Sequence, residues 1–339
     1  MNYQESKQIL EEINKAKRIL LNCHRGPDPD SIGSALAMYH ILKKIRKDVV
    51  IVCPSEQLYD NVSFLKGYRK IKKNVNFLKF DYSDYDLFIA LDSSDPQMIT
   101  RSSEIPLPKI PLIVLDHHIT NPGYGDINLI DPKASSVGEI LYWIFRDWDI
   151  EIDKSVADCL MTAIIGDTGA FRFNNVTPKT FKVVGNLMKI GADKDRIIFQ
   201  IYHSEGFDLL KFYAEVLSRM QIDNIGNFVW SSIPFEIYDQ LTDESKSNEK
   251  AASVFAQKVK DTEFGLVMVE TEKNKLGVSF RSRTGFDTSK IAVELGGGGH
   301  VYASGANVEG VPFDKAVEKV LGVVRKHVRK YQKTNSQGN

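Results

Sequence analysis

The chain lacks a surplus of charge. Its 339 residues carry 44 Lys plus Arg against 44 Asp plus Glu. Without a global basic field it is poorly suited to long duplex nucleic acid, where affinity grows with the number of phosphates neutralised. Short oligonucleotides and mononucleotides stay open, because a local cationic pocket suffices for them. Long hydrophobic runs are also missing. No stretch approaches the roughly 20 apolar residues of a membrane span. The start, Met1-Asn2-Tyr3-Gln4-Glu5-Ser6, has no basic region followed by an apolar core, so no signal peptide is read there. A soluble, cytoplasmic protein with no membrane partner is expected. Cysteine is scarce. Cys23, Cys53 and Cys159 have no metal-ligand spacing. Two fall in apolar strands and one in a helical pattern, which reads as buried free thiols in a reducing compartment. Strand alternation directs Cys23 away from its neighbour His24. There is no internal repeat and no low-complexity tract.

Histidine is scarce too, and its placement is informative. Of seven His, three (His24, His117 and His118) lie in loops that also carry aspartate. In His24-Arg25-Gly26-Pro27-Asp28-Pro29-Asp30 an imidazole and two carboxylates fall within seven residues. The segment follows an apolar run (Ile19, Leu20, Leu21) and precedes a helical pattern (Ile32, Leu36, Tyr39, Ile41, Leu42). Loops at the carboxyl ends of strands in open α/β sheets are where ligands bind. Leu87–Leu91 ends in Asp92, Leu112–Leu115 ends in Asp116-His117-His118, and Ala163-Ile164-Ile165-Gly166 runs into Asp167. Four apolar runs thus deliver Asp or His at their C-terminal ends, read as four strand ends. A helical pattern through Val156, Leu160, Ala163 and Ile164 also leads into Asp167. One or two imidazoles among carboxylates suit a hard divalent cation such as Mn²⁺ better than a thiolate metal.

The rest of the chain alternates helices and strands. Residues 4–17 read as an amphipathic helix with Ile9, Leu10, Ile13 and Ala16 on one face. Val49–Val52 reads as a strand, and Ser135 or Ser136 as a helix cap. Asp95 reads as the cap of a short helix before Met98 and Ile99. Residues 180–219 are helical in pattern. Beyond them Phe228–Trp230, Leu266–Val269 and Leu276–Arg281 read as strands, with Glu272–Lys275 as a turn. The expected fold class is α/β: a mostly parallel sheet flanked by helices, then a smaller α/β domain, joined by a helical connector. The boundaries are placed at 1–195, 196–218 and 219–332, with a frayed polar tail at 333–339.

The order H-x-x-P-D-x-D-x-x-G-S, L-D-S-S-D, D-H-H and G-D-T-G resembles the DHH phosphoesterase superfamily. Gly296-Gly297-Gly298-Gly299-His300, followed by Ala303-Ser304-Gly305, resembles the nucleotide-binding loop of the DHH-associated substrate domain. Pro29 departs from the pattern, since many members carry Gly there. Its fixed φ is expected to tilt the loop without deleting a ligand. The resemblance implies two divalent cations, Mn²⁺ ahead of Mg²⁺ or Co²⁺. It implies that His24, Asp28 and Asp92 hold one and that Asp30, His117 and Asp167 hold the other, with Asp92 shared. It gives His118 phosphate contact and proton transfer, and Asp116 the orientation of a neighbouring group. Two hard cations a few ångströms apart can bind the attacking and leaving oxygens of a phosphoryl displacement. Arg281, with Gly297, Gly298, Gly299 and His300, is implied to hold a substrate phosphate. Arg283 is expected to alternate to the opposite face and be solvated.

Within the superfamily, family II pyrophosphatases lack the GGGH loop, RecJ-type exonucleases are larger, and membrane-bound cyclic-dinucleotide phosphodiesterases add transmembrane and sensory segments. The compact form resembles the nanoRNase group. The implied substrates are short single-stranded RNA or DNA and nucleotides such as 3′-phosphoadenosine 5′-phosphate (pAp). A linear or cyclic dinucleotide phosphodiesterase (pApA, cyclic di-AMP) is the enzyme alternative. A silent nucleotide-binding regulator is the non-enzyme one. The sequence allows a homodimer without requiring it.

Overall fold

The computed structural model describes residues 2–102, 106–225, 227–241 and 247–336. The chain divides into two compact units, Met1–Ser204 and Glu205–Asn339. Among the described residues no helix is long and apolar enough to cross a membrane.

The first unit runs α1 (Glu5–Lys15), β1 (Arg18–Asn22), α2 (Pro29–Lys44), β2 (Asp48–Val52), β3 (Ile71–Lys72), β4 (Leu87–Leu91), α3 (Pro96–Thr100), β5 (Leu112–Asp116), β6 (Ile127–Ile130), α4 (Val137–Asp147), α5 (Lys154–Asp167), α6 (Pro178–Ile190) and α7 (Lys194–Tyr202). Its six strands are all parallel, in the order β3-β2-β1-β4-β5-β6. Successive strands step one way from β1 and the other way from β4. The β1–β4 boundary is therefore the switch point where a crevice opens beyond the strand ends. His24 follows β1 and Asp92 follows β4.

Strand residues are buried on both faces, which is why the apolar runs do not alternate with polar residues. Ile19, Leu21, Ile89, Leu91, Ile113 and Leu115 share a core with α1, α2, α4 and α5. Leu20, Phe88, Ala90 and Val114 pack on the other side against Phe77, Tyr85 and Ile99. That second face is covered by an aromatic segment and α3. Strands β3 and β6 had no counterpart in the sequence reading. The helical pattern prevails over the strand reading before Asp167. Asp153 caps α5 through Val156 N, and the helix carries Asp167 as its last residue. The metal-type residues thus come from three strand ends and one helix end.

Helices α2, α4 and α5 crowd together through small residues. A Cβ on Gly33 would sit 2.6 Å from Cys159 O, and one on Gly138 would sit 2.4 Å from the Ala163 Cβ.

The second unit runs α8 (Phe207–Ser218), β7 (Gln221–Ile222), β8 (Phe228–Ile233), α9 (Phe235–Leu241), α10 (Ser247–Phe255), β9 (Phe264–Glu272), β10 (Lys275–Ser282), α11 (Ser289–Glu294), β11 (Gly298–Gly299), β12 (Ala303–Glu309) and α12 (Phe313–Ser336). Its sheet has the order β11-β12-β10-β9-β8-β7. Among the described residues only the β8–β9 pair is parallel. Phe264, Leu266, Val278 and Phe280 pack with α11 and α12 on one face. Val267 and Val269 pack with α8, α9 and α10 on the other. The stretch 196–218 is in two pieces. Helix α7 belongs to the first unit, whereas α8 inserts Leu209, Phe212 and Val216 into the second unit's core. The polar tail is helical through Ser336, and residues 337–339 lie outside the described residues.

The helix crowding yields a stability prediction. Gly138→Ala should destabilise the first unit by about 1–3 kcal/mol through overpacking. Adding Ala163→Gly should restore part of the loss. Thermal unfolding of both variants measures this. A wild-type melting temperature in Gly138→Ala would contradict the close contact.

Candidate metal centre and glycine loop

The chain leaves β1 through Cys23, whose N–H extends the ladder to Val52 O at 2.8 Å. His24 follows, its backbone N–H donating to Ser31 Oγ at 2.9 Å. Its ring Nδ1 lies 2.9 Å from Arg25 O. An Nδ1–H donated to a carbonyl leaves Nε2 with a lone pair for a cation. Asp28 caps α2, accepting from Ser31 N at 2.9 Å. Pro29 is the first residue of α2, where its fixed φ is already helical. It starts the helix, and both carboxylates beside it, Asp28 and Asp30, stay in the cluster. Its ring also lies against Gly166, whose Cβ would fall 2.6 Å from the Pro29 Cβ. That contact brings the end of α5, and so Asp167, beside the start of α2.

Asp30 is fully buried. It accepts from Val137 N at 2.7 Å, Gly138 N at 3.0 Å and Ser34 Oγ at 2.7 Å. Two of these donors are amides in the first turn of α4, where the helix dipole favours an anion. Asp92 leaves β4 with φ 50°, a left-handed conformation uncommon outside glycine and best tolerated by Asp or Asn. Such strain persists where the surroundings fix it. Here Asp92 N donates to Leu115 O at 3.0 Å.

These elements bring together all six residues read as metal ligands. His24 Nε2 is 3.6 Å from Asp28 and 3.3 Å from Asp92. His117 Nε2 is 4.0 Å from Asp30, 3.7 Å from Asp92 and 3.0 Å from Asp167. Two groups capable of holding an ion result, His24/Asp28/Asp92 and Asp30/His117/Asp167. Asp92 Oδ1 and His117 Nε2 are buried without a well-directed hydrogen bond among the described residues, although Asp167 lies 3.0 Å from the imidazole. A buried polar atom left unpaired is costly, and a cation is the partner this donor set fits. Burial first, then Asp92 and Asp167, push Asp30 well above the usual carboxylate range. Burial first, then the charges of Asp28 and Asp92, raises Asp167 to about 6 against the opposing His117 contact. Burial opposes charge on His117, yet Asp167, Asp30 and Asp92 outweigh it and raise the imidazole to about 10. Without cations the cluster therefore tends to take up protons. The three cysteines are buried free thiols, and none joins these groups.

His118 has its side chain 45% exposed, with Nδ1 2.8 Å from Asp116 Oδ1. Asp116 also accepts from Asn121 Nδ2 at 2.6 Å and His117 N at 2.9 Å. The Asp116 contact raises the His118 pKa in spite of burial. A third grouping places His118 with Asp92 and His117. Its near atom there, Nδ1, lies 3.8 Å from Asp92 and is already engaged by Asp116. The ring nitrogen that Asp116 leaves unengaged is Nε2. Asp95 caps α3 through Gln97 N, the structural role read from the sequence. Ser136 likewise caps α4.

Several supporting residues escaped the sequence reading. Asn22 joins Leu91 N and Ser93 Oγ across β1 and β4 at 2.9 and 3.0 Å. Asn175 Nδ2 bridges Ser135 O and Asp167 O at 3.0 and 3.1 Å. A polar residue closing an apolar strand, as Asn22 does, was the available signal.

In the second unit Arg281 lies on β10, donating from Nη1 to Phe280 O at 2.9 Å. Arg283 is exposed, but not through alternation, since residues two apart share a strand face. It lies beyond the end of β10, and its Nη1 donates to Thr262 O at 3.3 Å. In the glycine run, Gly298 and Gly299 pair with Gly305 and Ser304. A Cβ on Gly297 would sit 2.1 Å from Gly305 O, and one on Gly299 2.6 Å from the Ser304 Cα. Packing by itself excludes a side chain at those two positions, and Gly299 also has φ 133°. Gly298 has nothing within 4 Å of its absent Cβ, and His300 is exposed.

The model of the DHH family, N-terminal domain, matches residues 18–164, and that of the DHHA1 domain matches residues 236–330. The chain belongs to the DHH family. It is a hydrolase of phosphodiester bonds with a DHHA1 domain. It is 29% identical to the bifunctional oligoribonuclease and PAP phosphatase NrnA of Thermus thermophilus, covering 96% of this chain and 95% of that protein. It is 22% identical to the cyclic-di-AMP phosphodiesterase PdeA of Listeria monocytogenes, covering 94% of this chain and 49% of the relative. The crystal structure of an exopolyphosphatase-related protein from Bacteroides fragilis superposes with a TM-score of 0.86 at 25% identity, covering 97% of each chain.

The unpaired donor set predicts metal-linked stability. An added divalent ion at 100 times its Kd should stabilise the first unit by about 2.7 kcal/mol per site. Thermal unfolding after chelator dialysis, with and without Mn²⁺, measures it. Identical melting in both conditions would contradict a metal centre in this cluster.

Proposed function

We propose that the protein hydrolyses short oligoribonucleotides to 5′-mononucleotides and removes the 3′-phosphate of pAp, with two Mn²⁺ ions held by the six clustered residues. The observation that carries the reading is the pair of adjacent ligand groups, with Asp92 3.3 Å from His24 in one and 3.7 Å from His117 in the other, and His118 beside them. His24, Asp28 and Asp92 would hold one ion, and Asp30, His117 and Asp167 the other. When bound, the pair would neutralise charge on the attacking and leaving oxygens. His118, with Nδ1 tied to Asp116, presents Nε2 to the phosphate and supplies the proton that the leaving oxygen needs. Asp116 holds that ring and its charge in place. Arg281, with Gly298 and His300, holds the substrate's remote phosphate, and the guanidinium suits that role through its bidentate fork. Gly297 and Gly299 act by letting the loop lie against β12.

The choice of substrate rests on the Thermus thermophilus relative, which is matched over nearly its full length. Balanced charge supports the preference for short substrates. The Listeria monocytogenes relative favours a dinucleotide such as pApA or cyclic di-AMP as a second reading, but only about half of it is matched.

A product time course on pAp, pApA, 5-mer RNA, 5-mer DNA and cyclic di-AMP tests the choice. Fast release of phosphate from pAp and of mononucleotides from the RNA is expected. Turnover confined to cyclic di-AMP would overturn it. Asp92→Ala should abolish turnover of every substrate. Asp116→Asn should lower kcat by roughly 10–100-fold, the usual cost of losing an orienting partner. Arg281→Ala should reduce kcat/KM for pAp far more than for bis-p-nitrophenyl phosphate, because remote binding energy serves positioning. Equal losses on the two substrates would remove Arg281 from the phosphate-holding role.

A further inference from the structure

The three residues of one ligand group come from three separate segments. Asp30 lies in the first turn of α2, His117 follows β5 and Asp167 ends α5. All three lean on a single turn, residues 134–138, that leads into α4. Val137 N and Gly138 N donate to Asp30 at 2.7 and 3.0 Å. Ala134 O lies 3.4 Å from His117 Nδ1. Ser135 O accepts from Asn175 Nδ2 at 3.0 Å, and the same amide donates to Asp167 O at 3.1 Å. The other group is held differently. His24 and Asp28 are fixed inside their own loop, through Arg25 O and Ser31 N.

Glu139 pins the turn. Its side chain is fully buried, where a carboxyl group is costly unless it is hydrogen-bonded. Oε2 accepts from Ser135 Oγ at 2.7 Å, Ser135 N at 3.3 Å and Thr180 Oγ1 at 2.8 Å. Oε1 has no hydrogen-bond partner among the described residues, so one acceptor atom carries the arrangement. A Glu at the third position of a helix commonly reaches back to the amide of the capping residue. Glu139 instead reaches Ser135 and crosses to Thr180. The cap of α4 is already made by Ser136 Oγ, which accepts from Glu139 N at 3.1 Å. Thr180 belongs to the capping box that starts α6, and α6 is anchored in the core through Val183 and Leu187. Glu139 therefore ties the turn to a fixed helix.

We propose that Glu139 is a positioning residue for the cation held by Asp30, His117 and Asp167. Its carboxylate acts through the turn, by aiming two amides at Asp30, one carbonyl at the His117 ring and another at the Asn175 bridge to Asp167. The inference rests on the reading of that group as a cation site. It makes the two cation sites unequal, because one of them depends on a side chain remote from both.

Calorimetric titration of the chelated full chain with Mn²⁺ tests this. The wild type should bind two equivalents. In Glu139→Met, similar in length but without the acceptor, one equivalent should weaken by about 10–100-fold while the other keeps its affinity. Glu139→Gln should retain both, since an amide oxygen can stand in for Oε2. Asn175→Ala cuts only the link to Asp167. It should weaken the same equivalent, and it tests the turn even if Glu139→Met does not fold. In an Asp28→Ala background, which spares the Asp30 group, the Glu139→Met loss should persist. Equal weakening of both equivalents in Glu139→Met would overturn the proposal. So would a loss in Glu139→Gln as large as in Glu139→Met, or wild-type affinities in both Glu139→Met and Asn175→Ala. A wild type that binds no Mn²⁺ would reject the cation reading and the proposal with it. Selective weakening in a protein that hydrolyses neither pAp nor short RNA would keep the positioning role and reject the reaction.

Discussion

Negative charge confined beyond the carboxyl ends of the central strands governs this molecule. Asp28, Asp30, Asp92 and Asp167 converge on two imidazoles, with Asp30 and Asp92 almost without solvent contact. Like charges at such distances in a buried site repel strongly, so the fold carries devices that offset them. The first turn of α4 gives Asp30 two amides. The first turn of α2 gives Asp28 one. Asp92 receives no such help at Oδ1, although it stands between both groups. The remaining compensation comes from protons or, on the proposed reading, from cations, and Asp92 is the carboxylate with an unpartnered oxygen among the described residues.

The scaffold follows from that need. Two helix starts and a helix end have to meet within a few ångströms of one another. Gly33, Gly138 and Gly166 permit it, because each faces a backbone, methyl or ring that a side chain would strike. Pro29 belongs to the same arrangement, as both the first residue of α2 and the surface that Gly166 touches. The sheet supplies the rest. Its strand order reverses between β1 and β4, which opens the crevice into which His24 and Asp92 project. The second unit is built differently. Its mixed sheet buries aromatic residues on one face and packs Val267 and Val269 under helices on the other.

Much of this was legible in the residues. Apolar runs ending in Asp or His mark strands buried on both faces, and His24, Asp28, Asp30, Asp92, His117 and Asp167 do meet. The caps at Asp95 and Ser136 were legible because short polar side chains before a helical pattern have few other uses. What escaped depends on three-dimensional neighbours. The run before Asp167 is apolar in either secondary structure, and its cap at Asp153 decides for the helix. Pro29 looked like a disturbance because its partner, Gly166, is distant in sequence. Asn22 and Asn175 work by bridging segments, which no local pattern records. The exposure of Arg283 was anticipated for the wrong reason, since the end of β10 and not alternation sets it.

The central claim is that Asp92 joins two cation sites into one centre. Electron paramagnetic resonance of the chelated protein, titrated with Mn²⁺ to one and then two equivalents, tests it most directly. A shared carboxylate holds the ions close enough for their spins to couple. The account predicts a coupled spectrum that grows in with the second equivalent and is lost in Asp92→Ala. Two equivalents that bind tightly yet give only the signal of isolated ions would contradict it.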